Sequence, residues 1–230
     1  MTAHTAFWEQ PAFRAVAEDG AWRPGGLAPT RRALDWCEER GLLAPGALVA
    51  DCGCGAGATL GLLAERGYRA VGLDRRIDEA CLPAASFLVV ADIAQPPLSP
   101  ACADMVLFEC VLSLLNDPGA ALRAARECLK PGGLCLVSDL TLRQGEPTAA
   151  SGVSCLSGAR PEAEWRGLLE AAGFCLLLAE DHSRALAELA AKMVWYGGDA
   201  GALSGGSCAC GGPRRRYGYG LWIARKRPLS

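Results

Sequence analysis

The stretch ALVADCGCGAGATLGLLAERG, residues 47–67, decides the fold. It opens as a short β-type apolar run ending at Asp51, turns through Gly53, Gly55 and Gly57, and continues in the pattern of a helix. Gly53, Gly55 and Ala58 satisfy G-x-G-x-x-G/A directly between a strand and a helix, so the chain turns tightly and brings backbone close to a ligand. Cys52 and Cys54 lie across the same turn, which raises the question of a thiol site for a metal. A C-x-C pair without further nearby Cys or His lacks the four ligands of a structural zinc site, so no metal centre is expected. The stretch reads as a cofactor loop.

Outward from this loop, short apolar runs alternate with longer amphipathic stretches, the pattern of a parallel sheet flanked by helices. Strands are expected at Leu48–Asp51, Ala70–Leu73, Phe87–Ala91, Met105–Phe108, Leu134–Ser138 and Phe174–Leu178, with a closing β-type run in YGYGLWIARKR at 217–227. Helices are expected near Ala6–Glu18, Thr30–Arg40, Thr59–Glu65, Arg75–Ala84, Gly119–Leu129, Pro161–Ala172 and Arg184–Tyr196. Thr30 is placed to cap the second helix and Gly41 to end it. LKPGG at 129–133 stops a helix and turns into a strand. The segment from 197 to 216 is too rich in Gly and Ser to be a core element.

Charge discriminates among nucleotide-type cofactors. Asp51 sits in the mouth of the loop, where its carboxylate repels a pyrophosphate but attracts the ammonium and sulfonium of S-adenosylmethionine (SAM). Asp74 ends the second strand, where an acid can accept hydrogen bonds from ribose hydroxyls. Asp92 ends the third, from which it can accept from an adenine amino group while Ile93 covers the ring face. Each acid alone serves equally well as a helix cap or turn former; their joint placement at three strand ends facing one crevice points to the cofactor.

These residues resemble the class I SAM-dependent methyltransferases, from VADCGCGAGA through GLD, ADIAQPPLSPACADMVLFECVL and LKPGGLCLVSD. The resemblance is close over residues 48–139 and loose elsewhere. It implies a Rossmann-like α/β fold with a seven-stranded, mostly parallel sheet whose last strand is antiparallel. Cys54 occupies a slot where that family often carries cysteine beneath the loop.

The fourth strand ends in VLFECVLSLLND, which places Glu109 and Cys110 at the edge where open α/β sheets bind ligands. This run, with SGVSCLSGARPEAEWRGLLEAAGF at 151–174, resembles the arsenite methyltransferases. By that resemblance Cys110 and Cys155 match two cysteines that hold trivalent arsenic. Arsenic(III) is soft and binds thiolate sulfur, and its lone pair attacks a sulfonium methyl without a general base, so the protein need supply thiols, alignment and a dry site. Two departures stand out: no cysteine follows the glycine loop at Ala58, Thr59 or Leu60, and the strand-end Asn of that family is Glu109, a candidate partner for the SAM ammonium. Cys208 and Cys210, in a flexible SCACGG run, are candidates for a third sulfur or a thiol shuttle.

Composition bounds the alternatives. At 230 residues, with 51% hydrophobic and 21% charged residues and a net charge of −2, the chain reads as one globular domain: a helical cap at 1–45, a SAM-binding core at 46–140 and a substrate-side part at 141–230. Global charge gives no case for nucleic acid, and no apolar run of membrane length or signal-peptide form is present, so a cytoplasmic protein is expected. Most of the twelve cysteines are then expected to be buried small hydrophobes. Histidine is scarce, only His4 and His182, which argues against chemistry that needs a positioned imidazole. Most tryptophans are expected in the core. The expected partners are a small-molecule or metalloid acceptor and a thiol reductant. Two other readings stay open: methylation of O, N or C on a small organic molecule, with Glu109 or His182 accepting a proton, and a non-catalytic SAM-binding or metalloid-sensing module.

Overall fold

The computed structural model describes residues 16, 20–76, 87–147, 155–196 and 216–228. The expected helices at 6–18 and 75–84 lie mainly outside these residues, as do Cys208 and Cys210. Seven strands form one sheet: β1 (Leu48–Cys52), β2 (Arg69–Asp74), β3 (Phe87–Val90), β4 (Ala103–Glu109), β5 (Leu129–Leu142), β6 (Phe174–Asp181) and β7 (Tyr217–Lys226), in the order β3-β2-β1-β4-β5-β7-β6. The first five pair in parallel, and β7 runs antiparallel between β5 and β6. This is the mixed, mostly parallel Rossmann-like sheet that the family resemblance implied, built on the parallel core that the alternating pattern predicts.

Helices α1 (Ala28–Glu39), α2 (Ala58–Glu65), α3 (Pro118–Cys128), α4 (Glu162–Ala171) and α5 (Ser183–Trp195) pack around it. One face of the sheet buries Ala50, Cys52, Val106, Phe108, Cys135 and Trp222 against α3 and α4; the other buries Val49, Met105, Leu107, Leu136 and Ile223 against α1 and α2. Central strands are thus apolar on both faces, as a covered parallel sheet requires.

Local chemistry explains the element ends. Asp117 caps α3 by accepting the Ala120 N–H at 2.9 Å, and Pro118 takes the first turn, where a missing N–H costs nothing. Gly41 follows α1 at φ 63°, in the left-handed conformation that favours glycine. Thr30 corrects its expectation: α1 starts earlier, at Ala28 with Pro29 in its first turn, and no side chain caps it. The Thr30 hydroxyl points inward instead. Strands β5 and β6 run past their expected ends because β7 pairs with β5 from Leu134 to Leu142 and with β6 to Asp181, carrying polar residues that broke the apolar pattern. Trp165 and Trp222 are core residues, whereas Trp195 is 87% exposed, contrary to the general expectation for tryptophan.

Candidate active site at the carboxyl edge of the sheet

Register aligns the strand ends. Cys52 lies opposite both Leu73 and Phe108, and Glu109 opposite Ser138, so Asp51, Asp74, Glu109, Cys110 and Asp139 reach one edge. The glycine loop crosses that edge with Gly53, Gly55 and Gly57 at φ 86°, 51° and 78°. A Cβ on Gly53 would stand 2.5 Å from Val111 Cγ2, so the loop lies against the chain that follows β4. A Cβ on Gly55 would meet nothing within 4 Å, leaving open space over the backbone where a ligand can run. Cys54 is buried beneath the loop, its sulfur 2.8 Å from where a Cβ of Gly72 would be.

The acids frame this space. Asp51 is 2% exposed; burial first, then Glu109, pushes its carboxyl up, with Arg23 opposing. Asp74 accepts the Gly55 N–H at 2.9 Å and the Arg76 N–H at 3.1 Å, which fixes the loop to the end of β2. Asp92 is exposed, accepts from Ala94 N–H at 3.0 Å and Arg75 at 3.0 Å, and the Ala94 bond, followed by Arg75, holds its carboxyl below the usual value against a small burial effect. Ile93 beside it is 5% exposed. A left-handed glycine loop with open space above Gly55, edged by carboxylates on three neighbouring strands, fits a cationic adenosyl donor. Asp51 would face its charge, Asp74 its ribose, and Asp92 with Ile93 its adenine.

Glu109 is a shared anchor. One oxygen accepts the Thr30 hydroxyl at 2.5 Å; the other accepts the Thr59 hydroxyl at 2.8 Å and meets Arg23 Nη2 at 3.0 Å. Arg23 also donates to both threonines, at 2.8 and 2.9 Å. Its side chain is 9% exposed and that of Glu109 3%. Burial works against the Arg23 charge, yet Glu109, Tyr219, Asp51 and Cys110 together hold its pKa above the ordinary value. The cluster therefore ties the segment before α1 to the glycine-loop helix and to the end of β4.

Cys110 follows Glu109 at φ 55°, a left-handed conformation uncommon outside Gly, Asn and Asp. Its thiol donates to Tyr219 Oη at 3.5 Å, and Tyr219 in turn donates to Ser138 Oγ at 2.9 Å. Cys155 packs with Cys110 against one apolar cluster that includes Leu140, Leu156, Ala159 and Tyr219. The loop carrying Cys155 presses close to the turn after β4: a Cβ on Gly158 would fall 1.8 Å from the Ser113 carbonyl oxygen. Burial is the main cause that raises both thiols, Cys155 to about 12, and Asp139 adds to both. Asp139 is fully buried and accepts from Ser113 N–H at 3.0 Å, Ser113 Oγ at 2.6 Å and Leu140 N–H at 2.7 Å; burial nonetheless pushes it up to about 6. His182 is half-buried, with Nε2 3.0 Å from Glu180 Oε2.

Comparison with known proteins fits this geometry. Residues 50–137 match the profile of the methyltransferase domain family. Over 100 residues the chain is 35% identical to malonyl-acyl-carrier-protein O-methyltransferase of Serratia marcescens, covering 42% of this chain and 39% of that protein. The fold is similar to phosphoethanolamine N-methyltransferase 2 of Haemonchus contortus in complex with SAM, with TM-score 0.68 and 16% identity over 94% of this chain and 56% of that one. It is also similar to the 4+2 cyclase SpnF, with TM-score 0.61 and 21% identity over 86% and 82% of the two chains. A third is the 1,6-didemethyltoxoflavin-N1-methyltransferase of Burkholderia thailandensis, with TM-score 0.60 and 18% identity over 87% and 79%. Residues 50–137 thus carry the profile of a methyltransferase domain, and the sheet around them has the fold of these solved structures. Arsenite methylation is not among the activities these relatives are named for. Among the described residues, no helix is long and apolar enough to cross a membrane, and no three His, Cys, Asp or Glu side chains are grouped to hold a metal ion.

Sequence reasoning missed Arg23, Thr30, Thr59, Asp139 and Tyr219. Four of them share a signal, a polar residue at a position the apolar pattern would bury; Asp139 at the end of VSD carries it most plainly. Arg23, in a turn-rich stretch, carries none.

Proposed function

We propose that this chain is a single methyltransferase domain that moves the methyl of SAM to a soft trivalent acceptor, arsenite or a similar thiophilic species, held by Cys110 and Cys155. The observation that supports this reading is the packing of both half-buried cysteines against one apolar cluster beside the sheet edge where the glycine loop lies. SAM supplies an electrophilic methyl on a sulfonium. The chain's own residues would do the rest: Asp51 would compensate the donor's charge, Asp74 with Gly55 would seat it, and the half-buried thiols would orient the acceptor.

The raised thiol pKa values suit this chemistry. Arsenous acid condenses with a protonated thiol, the S–H proton leaving with a hydroxyl group as water, so no base is needed to load the site. An external thiol reductant would keep Cys110 and Cys155 reduced.

A second reading, transfer to O, N or C of a small organic molecule such as an organic acid, is favoured at oxygen by the named O-methyltransferase relative. Turnover separates the two. With arsenite and a thiol reductant, S-adenosylhomocysteine should form with methylated arsenic, and Cys110→Ser and Cys155→Ser should each lower the rate at least a hundredfold. Activity on arsenite that is indifferent to both thiols, or none in the wild type beside turnover of an organic acid, refutes the metalloid reading.

A further inference from the structure

At the opposite edge of the sheet, where β4 begins and α3 ends, two more cysteines meet. The Cys102 N–H donates to the Cys128 carbonyl at 2.9 Å, and the next pair, Ala103 and Leu129, is in parallel register. A backbone bond of that length brings the two Cα atoms to about 5 Å, inside the range that a disulfide spans. Cys102 is half-buried and packs on the core; Cys128 is 4% exposed. Burial, then Cys102 and Glu127, raise the Cys128 thiol, while Lys226 acts the other way. The Lys226 ammonium is anchored beside them, donating to the Leu129 carbonyl at 2.5 Å.

We propose that Cys102 and Cys128 are a reversible disulfide site, closed by small organic disulfides such as oxidised glutathione. The reachable Cys102 attacks one sulfur of the incoming disulfide, and one reduced thiol leaves with the Cys102 proton. Cys128 then gives up its proton, attacks the Cys102 sulfur of the mixed disulfide and expels the second thiolate, which takes that proton; the Lys226 ammonium favours the transient Cys128 thiolate against burial and Glu127. Two protein thiols are oxidised and one disulfide is reduced to two thiols. This site lies at the far end of β4 from Glu109 and Cys110, and it stands whatever the methyl acceptor is.

The test is peptide mass mapping of the full chain after incubation with oxidised glutathione and an alkylating quench. Exposed Cys175 serves as an internal control that should keep its glutathione adduct. The wild type should show a 102–128 bridge with little adduct on Cys102. Cys128→Ala should accumulate the Cys102 adduct at least tenfold over wild type, and Lys226→Met should slow closure several-fold. Cys102→Ser, which leaves the buried side chain intact, should leave Cys128 unmodified. Full modification of Cys175 without a 102–128 bridge in the wild type overturns the proposal, as does a Cys102 adduct that Cys128→Ala fails to increase.

Discussion

Replacing Arg23 with methionine removes the cation of a buried pair and leaves Glu109 charged, 3% exposed, with only the Thr30 and Thr59 hydroxyls as donors. Breaking a buried pair from one side costs about 3–5 kcal/mol because the remaining charge is uncompensated. In a chain of this size each kcal/mol shifts the melting temperature by about 2–4 °C, so Arg23→Met should melt some ~6–20 °C lower. Glu109→Gln alone strands the guanidinium in the same way. The double variant should recover most of the loss, because a neutral amide can still bond both threonines and no charge is left unpaired. Thermal and urea unfolding of the four proteins give the coupling energy, expected at about 3 kcal/mol. Additive single effects, or an Arg23→Met variant within 1 kcal/mol of wild type, would refute the claim that this pair clamps the segment before α1 onto the site.

Gly158→Ala should cost about 1–3 kcal/mol and weaken crosslinking of Cys110 to Cys155 by a trivalent phenylarsenical, since the added methyl meets the Ser113 carbonyl; unchanged crosslinking would contradict the loop contact. Asp139 has its folded pKa raised from 3.8 to about 6, so protonation favours the folded state: its contribution is full below the unfolded pKa and is lost as pH rises through about 6, roughly 3 kcal/mol in all. Asp139→Asn should flatten that part of the stability profile, measured by urea unfolding between pH 4 and 7. Asp51, raised by burial and by Glu109, should release a proton when a cationic donor binds. Calorimetry in buffers of different ionisation enthalpy should then show proton release with SAM and less with S-adenosylhomocysteine, which lacks the sulfonium charge; equal release would remove Asp51 from that role.

Nearly all of the sheet was legible because its strands are apolar on both faces and end at punctuation: Asp51, Asp74 and Asp92 each mark where backbone leaves the core. Those same acids pointed to one edge of the sheet, since like charges at successive strand ends have few structural reasons to coincide. What stayed hidden depends on chain segments that meet only in three dimensions. Glu109 read in sequence as a candidate partner for the SAM ammonium, and its oxygens are engaged by Thr30, Thr59 and Arg23 from other segments. Thr30 was misassigned as a cap because a hydroxyl near a helix start serves a cap or a buried acceptor equally well. The pairing of Cys110 with Cys155 came from family resemblance; nothing in their spacing of 45 residues encodes it. Trp195 shows the converse, an aromatic at helical spacing that faces solvent.

The position of β7 has a consequence for the order of assembly. Among the described residues, strand β6 lies at the sheet margin and pairs with β7, so after synthesis of residues 174–181 it lacks this strand partner until residues 217–226 have been made and laid in beside β5. That late strand also delivers Tyr219, whose hydroxyl accepts from Cys110 and donates to Ser138. This edge is therefore finished in the same event that closes the sheet, and a nascent chain stalled before β7 holds the glycine loop beside a Cys110 thiol that still lacks its Tyr219 partner.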